Sequence, residues 1–324
     1  MPERGHHHGL DALVAAAATA GAARGTAADG TADGSVSATA GAPGPDGAAA
    51  GYRGGATLPW SVEIRRQLRR RRTQITLALL VLLPFVLVAA FELGDDSPGG
   101  GAPGLVQVAT QGAANFTLFI LFAATGFLLV VVFALFAGDT VASEASWSSL
   151  RYLLASPVPR GVLLRRKLVV ALGFSAFSMV LLPVTAFLAG GLFFGWAPIR
   201  TPLGTSLGGW DAFGRVALAV VYIGLTLVLV SALAFLLGVW TDAPLGAVGG
   251  AVMLVIVANI LDAVPALDPW RVALPTHYSY AWLDLLAPEI AWDAMARGVL
   301  WSLSYTLVLL TAAWWHFTRK DITS

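Results

Sequence analysis

Six apolar runs, at about 74–92, 115–137, 168–196, 215–240, 245–264 and 297–317, constrain this chain more than any motif does. Each approaches or exceeds the roughly 17–25 residues that a helix needs to cross about 30 Å of hydrocarbon. Composition agrees, because the 324 residues are 57% hydrophobic and 12% charged, with a mean hydropathy of +0.74. Soluble domains run near a quarter charged. The spacing therefore predicts an all-α membrane protein with six transmembrane helices. Pro84 and Pro183 fall inside spans, where neighbouring helices re-satisfy the freed carbonyls and a simple kink suffices.

Residues 1–58 are of another kind, Ala, Gly, Thr, Asp and Pro with little apolar bulk beyond Leu10, Leu13 and Val14. Such a segment cannot bury enough surface to fold and is expected to be a disordered cytoplasmic tail. Asp11 to Ala18 is too short and too weakly apolar for a secretory signal core. His6, His7 and His8 have the side chains of a metal site, but three consecutive histidines in a tail without a core are expected to bind nothing specific. Residues 59–324 form the membrane domain.

At Trp60 the character changes. Trp60, Ile64 and Leu68 share one helical face, Arg65, Arg66, Arg69 and Arg70 cover the other, and Arg71 and Arg72 follow. This pattern predicts an interfacial helix on an anionic leaflet, leading into the first span. A basic run abutting a span is a topology anchor and not a nucleic-acid surface. The positive-inside rule then sets orientation. Arg65 to Arg72, the loop carrying Arg151, Arg160, Arg165, Arg166 and Lys167, and the end with Arg319 and Lys320 are expected to be cytoplasmic, so both termini are too. The other side has Arg200, Arg215, Arg271 and Arg297. Its longest segment, about 265–296, is broken by Pro265, Pro269, Pro275 and Pro288. Trp270, Tyr278, Tyr280, Trp282 and Trp292 suit it to lie at the interface or dip back into it.

Between the second and third runs lies a charged island, Gly138–Lys167. Ser143 is placed to cap a short helix with Glu144 in its first turn, and Pro157 and Pro159 would stop it. Trp147, Leu150, Leu153 and Leu154 would share a face, giving an amphipathic helix at the membrane surface.

Few residues carry chemistry. There is no Gly-x-x-x-x-Gly-Lys-[Ser/Thr], no His-Glu-x-x-His and no Gly-x-Ser-x-Gly, so this chain has no phosphate-cradling P-loop and no familiar hydrolytic motif. Without cysteine, disulfides and thiolate metal sites are excluded. His277, seven positions before Asp284, together with His316 and Asp262, reads as polar groups facing water or headgroups at helix ends. Asn259 and Thr226 suit interhelical hydrogen bonds, and Gly246, Gly249, Gly250 and Ala251 suit close helix contact in the fifth span.

The six-span layout, the arginine-rich helix at 60–72, and Ser143-Glu144 followed by Ser149-Leu-Arg-Tyr-Leu-Leu-Ala-Ser-Pro-Val-Pro-Arg160 and Leu164 to Lys167 resemble the permease subunits of ABC-2 type transporters over about 59–324. Glu144, Leu150, Leu153, Leu154, Pro157, Val158, Arg160 and Lys167 keep that family's loop pattern, while Ser148-Ser149 stands where Gly-Thr is usual.

The resemblance implies an exporter permease in the cytoplasmic membrane, paired with a second permease copy or a related one and with separate ABC ATP-binding subunits. These would bind ATP and Mg, and this chain would bind no cofactor or metal of its own. It also implies an N-terminal elbow helix (Trp60, Ile64, Arg65, Arg66, Leu68, Arg69, Arg70) against membrane lipid. A cytoplasmic coupling helix between spans two and three would dock on the ATPase through Glu144, Trp147, Leu150, Arg151, Leu153, Leu154, Pro157 and Arg160. Two alternatives belong to other classes. An intramembrane enzyme using His277, Asp284 or His316 lacks a paired acid, nucleophile or metal cluster. A stand-alone secondary transporter or scaffold lacks the embedded charges that would carry ion coupling.

Overall fold

A computed structural model of the chain describes residues 60–93, 105–146, 160–200, 206–241 and 243–319. The expected tail, 1–58, lies outside them. The fold is mostly helical: α1 (Trp60–Leu68), α2 (Arg71–Leu93), α3 (Leu105–Ala109), α4 (Ala113–Thr125), α5 (Leu128–Ser146), α6 (Arg160–Phe194), α7 (Gly209–Thr241), α8 (Pro244–Asp262) and α9 (Trp292–Arg319). Five of these, α2, α6, α7, α8 and α9, are long and apolar enough to cross a membrane, and the pair α4 and α5 makes a sixth if taken as one bent span. The chain is a multi-pass membrane protein.

The expected second span, 115–137, is not one straight helix. It is broken at Gly126-Phe127, where α4 and α5 meet at 59°. Gly126 leaves room there for the Tyr280 side chain, since a Cβ built on it would stand 2.6 Å from Tyr280 Oη. The charged island also starts differently. Ser143 lies inside a helix and not before one, because α5 runs on to Ser146 and carries Ser143 and Glu144 in its closing turns. A buried stripe of Val132, Phe133, Phe136, Ala137, Thr140 and Val141 continues across the expected boundary and holds those turns helical.

In the packing, α5, α8 and α9 lie against α7, while α6 takes α2, α4 and α5. Phe116, Phe133, Phe136, Leu182 and Phe235 are fully buried among them. The tightest crossing is between α5 and α7, where a Cβ on Gly238 would stand 2.7 Å from the Gly138 carbonyl oxygen. In the fifth span Gly249 faces open space, and only a Cβ on Gly250 would press a neighbouring helix, 3.2 Å from Leu237 Cδ1. Small residues let backbones approach wherever packing demands it.

Residues 265–291, at the end opposite the arginines, fold back onto the bundle through short 3-10 turns at Pro265–Leu267, Trp270–Ala273 and Ala281–Leu286. Trp282 is fully buried among the helices. Irregular backbone inside a membrane protein needs partners, and span side chains supply them. Arg215 donates to the carbonyls of Leu285 and Ala287, the Tyr222 hydroxyl donates to Tyr278 at 2.7 Å, and the Tyr305 hydroxyl to Ala273 at 2.7 Å. The neighbouring turn, a two-stranded pair of β1 (Ile199–Arg200) and β2 (Ser206–Leu207), is held to α4 by Asn115, whose amide bonds both the N–H and the C=O of Arg200.

Candidate functional site

The polar side chains at the arginine-rich end are joined into a clasp. The helix α1 is amphipathic, yet what it turns to the protein is Glu63 and Gln67. Glu63 and Gln67 are 8% and 3% exposed, whereas Trp60, Ile64 and Leu68 are 43%, 43% and 44% exposed. Apolar side chains facing outward are stable where the surroundings are hydrocarbon. On the inner face, Glu63 Oε1 lies 3.6 Å from Lys167 Nζ in the first turns of α6, and Arg66 reaches Glu63 at 3.8 Å. The Arg166 guanidinium sits over the Trp60 ring, 5.8 Å from its centre, in cation–π range.

The second half of the clasp joins α2 to α5. Arg70 Nη1 lies 2.6 Å from Asp139 Oδ2 and Arg72 Nη1 2.5 Å from Asp139 Oδ1. Arg70 also donates to Ser143 Oγ at 3.0 Å. Asp139 is almost wholly buried, and a carboxylate so placed needs both cations to offset its desolvation. Two fork-shaped guanidiniums on one carboxylate make charge-assisted hydrogen bonds of the stronger kind.

Of the residues predicted to form the elbow, Arg65 and Arg69 point outward, while Arg66 and Arg70 enter the clasp. Of those predicted to form the coupling helix, Glu144 falls in the last turn of α5 and Arg160 opens α6. Trp147, Leu150, Arg151, Leu153, Leu154 and Pro157 lie outside the described residues. Both helices that flank this connection are tied to the N-terminal segment, α5 through Asp139 and α6 through Lys167. Asp139 and Glu63 are not among the residues that the sequence pattern singles out. The available signal was an acid within the closing turns of an apolar run, which at that depth calls for a cation.

At the opposite end His277 does not pair with Asp284. Its Nδ1 lies 2.6 Å from Asp262 Oδ1, and Arg271 Nε is 4.0 Å from the same oxygen. His316 is at the other end of the bundle, its ring 6.3 Å from that of Trp240. The residues of the enzyme alternative are therefore not assembled at one place. Among the described residues no group of three or more His, Asp or Glu side chains is arranged to hold a metal ion.

Residues 102–323, from just before α3 to the end of α9, match the family described as Protein of unknown function (DUF2705). No curated protein matches the chain.

Proposed function

We propose that this chain, which belongs to the DUF2705 family, is the membrane-spanning permease subunit of an ABC-2 type transporter, an exporter driven by a separate ATP-binding subunit. The observation that carries the reading is the clasp. Anything that pulls on the connection between α5 and α6 pulls on two helices that are ion-paired to α1 and α2, through Asp139 with Arg70 and Arg72 and through Lys167 with Glu63. A force applied at one short cytoplasmic segment then moves an interfacial helix and three spans together, which is the transmission that an ATPase docked outside the membrane requires.

In this reading α1 is the elbow helix on the inner leaflet, both termini are cytoplasmic, and the connection from Glu144 to Arg160 is the coupling segment. ATP and Mg are bound by the partner ATPase. A second permease copy, or a related chain, completes the path. Nucleotide binding brings the coupling helices of the two permeases together, and the spans exchange one packing for another. Reconstituted proteoliposomes containing the permease and its ATPase test this. Glu144→Ala and Leu153→Asp should let ATP hydrolysis proceed without substrate movement. Equal transport by both variants and the unmutated complex would remove the assignment of the coupling segment.

A further inference from the structure

A cavity of about 520 Å³ opens at the end opposite the clasp, between the break in α4–α5, the spans α7, α8 and α9, and the folded-back loop. That volume falls within the roughly 300–1,000 Å³ typical of ligand sites. Its walls within the spans are apolar, with Val130, Val230, Leu254 and Leu309 among them. Its rim carries Asn259, Asp262, Thr276, His277, Ser279 and Tyr280. The helices α8 and α9 both pack on α7 and make little contact with each other, so the cavity lies along a seam that faces the surrounding lipid. Leu254 and Asn259 stand exposed at this seam.

The rim has capacity to spare. The Thr276 hydroxyl is buried without a partner among the described residues. His277 and Arg271 both approach Asp262 Oδ1, and Oδ2, with no partner among the described residues, is left to accept a further hydrogen bond. The charge at this end selects the sign of a ligand. Among the described residues at this end of the bundle, the acids Asp211, Asp262, Asp268, Asp284, Glu289 and Asp293 outnumber the arginines Arg200, Arg215, Arg271 and Arg297, and Arg215 is occupied by loop carbonyls. A phosphate or carboxylate would meet Asp262 and Asp268, whereas an ammonium would find an open carboxylate oxygen and a ring of hydroxyls.

We propose that this cavity is a lateral-access binding site for a cationic amphiphile, its amine at Asp262 and the hydroxyl rim and its hydrocarbon between α8 and α9. The site does not depend on the ATP-driven reading, since binding would be a property of the chain alone. The test uses the purified full chain in phosphatidylcholine nanodiscs, with the lipophilic cation rhodamine 6G as probe and fluorescence anisotropy as readout, after subtracting empty nanodiscs. Saturable binding is expected, displaced by dodecylamine and not by dodecanoate. Asp262→Asn and Leu254→Trp should each raise Kd tenfold or more, and Thr318→Val, at the opposite end of α9 and outside the cavity lining, should leave it unchanged. The proposal is overturned by binding that does not saturate, by displacement as effective with dodecanoate as with dodecylamine, or by unaltered Kd in both variants. Should Asp262→Asn fail to fold, Leu254→Trp and the charge selectivity decide.

Discussion

The Arg70 guanidinium lies 2.6 Å from the Asp139 carboxylate, a pairing across 69 positions of sequence that ties the foot of α2 to the closing turns of α5. Removing the acid leaves Arg70 partly buried with Ser143 as its remaining described hydrogen-bond partner. Asp139→Asn should cost on the order of 2 kcal/mol, in line with hydrogen bonds to charged groups and with one-sided removal of a desolvated pair. Asp139→Glu should recover part of that. The unfolding midpoint in nanodiscs is the measurement, and an unchanged midpoint for Asp139→Asn would mean that the clasp is not structural.

Gly298 in α9 admits two tyrosines. A Cβ there would collide with Tyr222 Oη and stand 2.7 Å from Tyr278 Cβ, and a Cβ atom cannot swing away as a side-chain tip can. Gly298→Ala should therefore destabilise by about 1–3 kcal/mol, the usual cost of overpacking. Gly173→Ala, at a position where a Cβ meets nothing within 4 Å, should be neutral in the same denaturation assay.

Burial pushes the Tyr280 phenol above its usual range. Its folded-state pKa exceeds the unfolded value, which is near 10, so its contribution to stability is fully present below about pH 10 and is lost as pH rises through the folded pKa. Tyr280→Phe should flatten the fall in stability above that pH. Equal slopes for the variant and the unmutated chain in denaturation series across that range would contradict the assignment.

How much of this was legible beforehand differs by feature. That the chain crosses the membrane several times follows from the apolar runs, because hydrocarbon thickness sets a length that no soluble element needs; five helices meet it singly, and the sixth run is the bent pair α4 and α5. The break at Gly126 was not legible, since glycine inside an apolar run is common in straight spans and what fills its space, Tyr280, lies far along the chain. The inward face of α1 inverts the soluble-protein rule: Glu63 and Gln67 face the bundle, where Glu63 meets Lys167, and Trp60, Ile64 and Leu68 are left outward. Likewise the partners of Asp139 and His277 are chosen by helix packing and by the path of the 265–291 loop. Spacing within one element contains neither. The aromatic density of the loop predicts a segment at the interface or dipping back into it, but not its packing on the bundle, where Trp282, Tyr278 and Tyr280 seat it.

Residues 1–55 have almost no apolar bulk with which to form a core. Deleting them should leave transport unaltered at equal expression, and a transport defect in the truncated chain would assign the tail a role.

The central claim is that an ATPase drives this chain through the connection between α5 and α6. Its most direct test is purification of the full-length chain from its native membranes in mild detergent, with identification of bound partners and assay of their ATP turnover. The expected result is a P-loop ATPase in stoichiometric amount, whose ATP turnover continues in the Leu153→Asp complex while substrate movement in proteoliposomes is lost. A chain that purifies with no nucleotide-hydrolysing partner, or a Leu153→Asp complex that moves substrate as the unmutated one does, would contradict it.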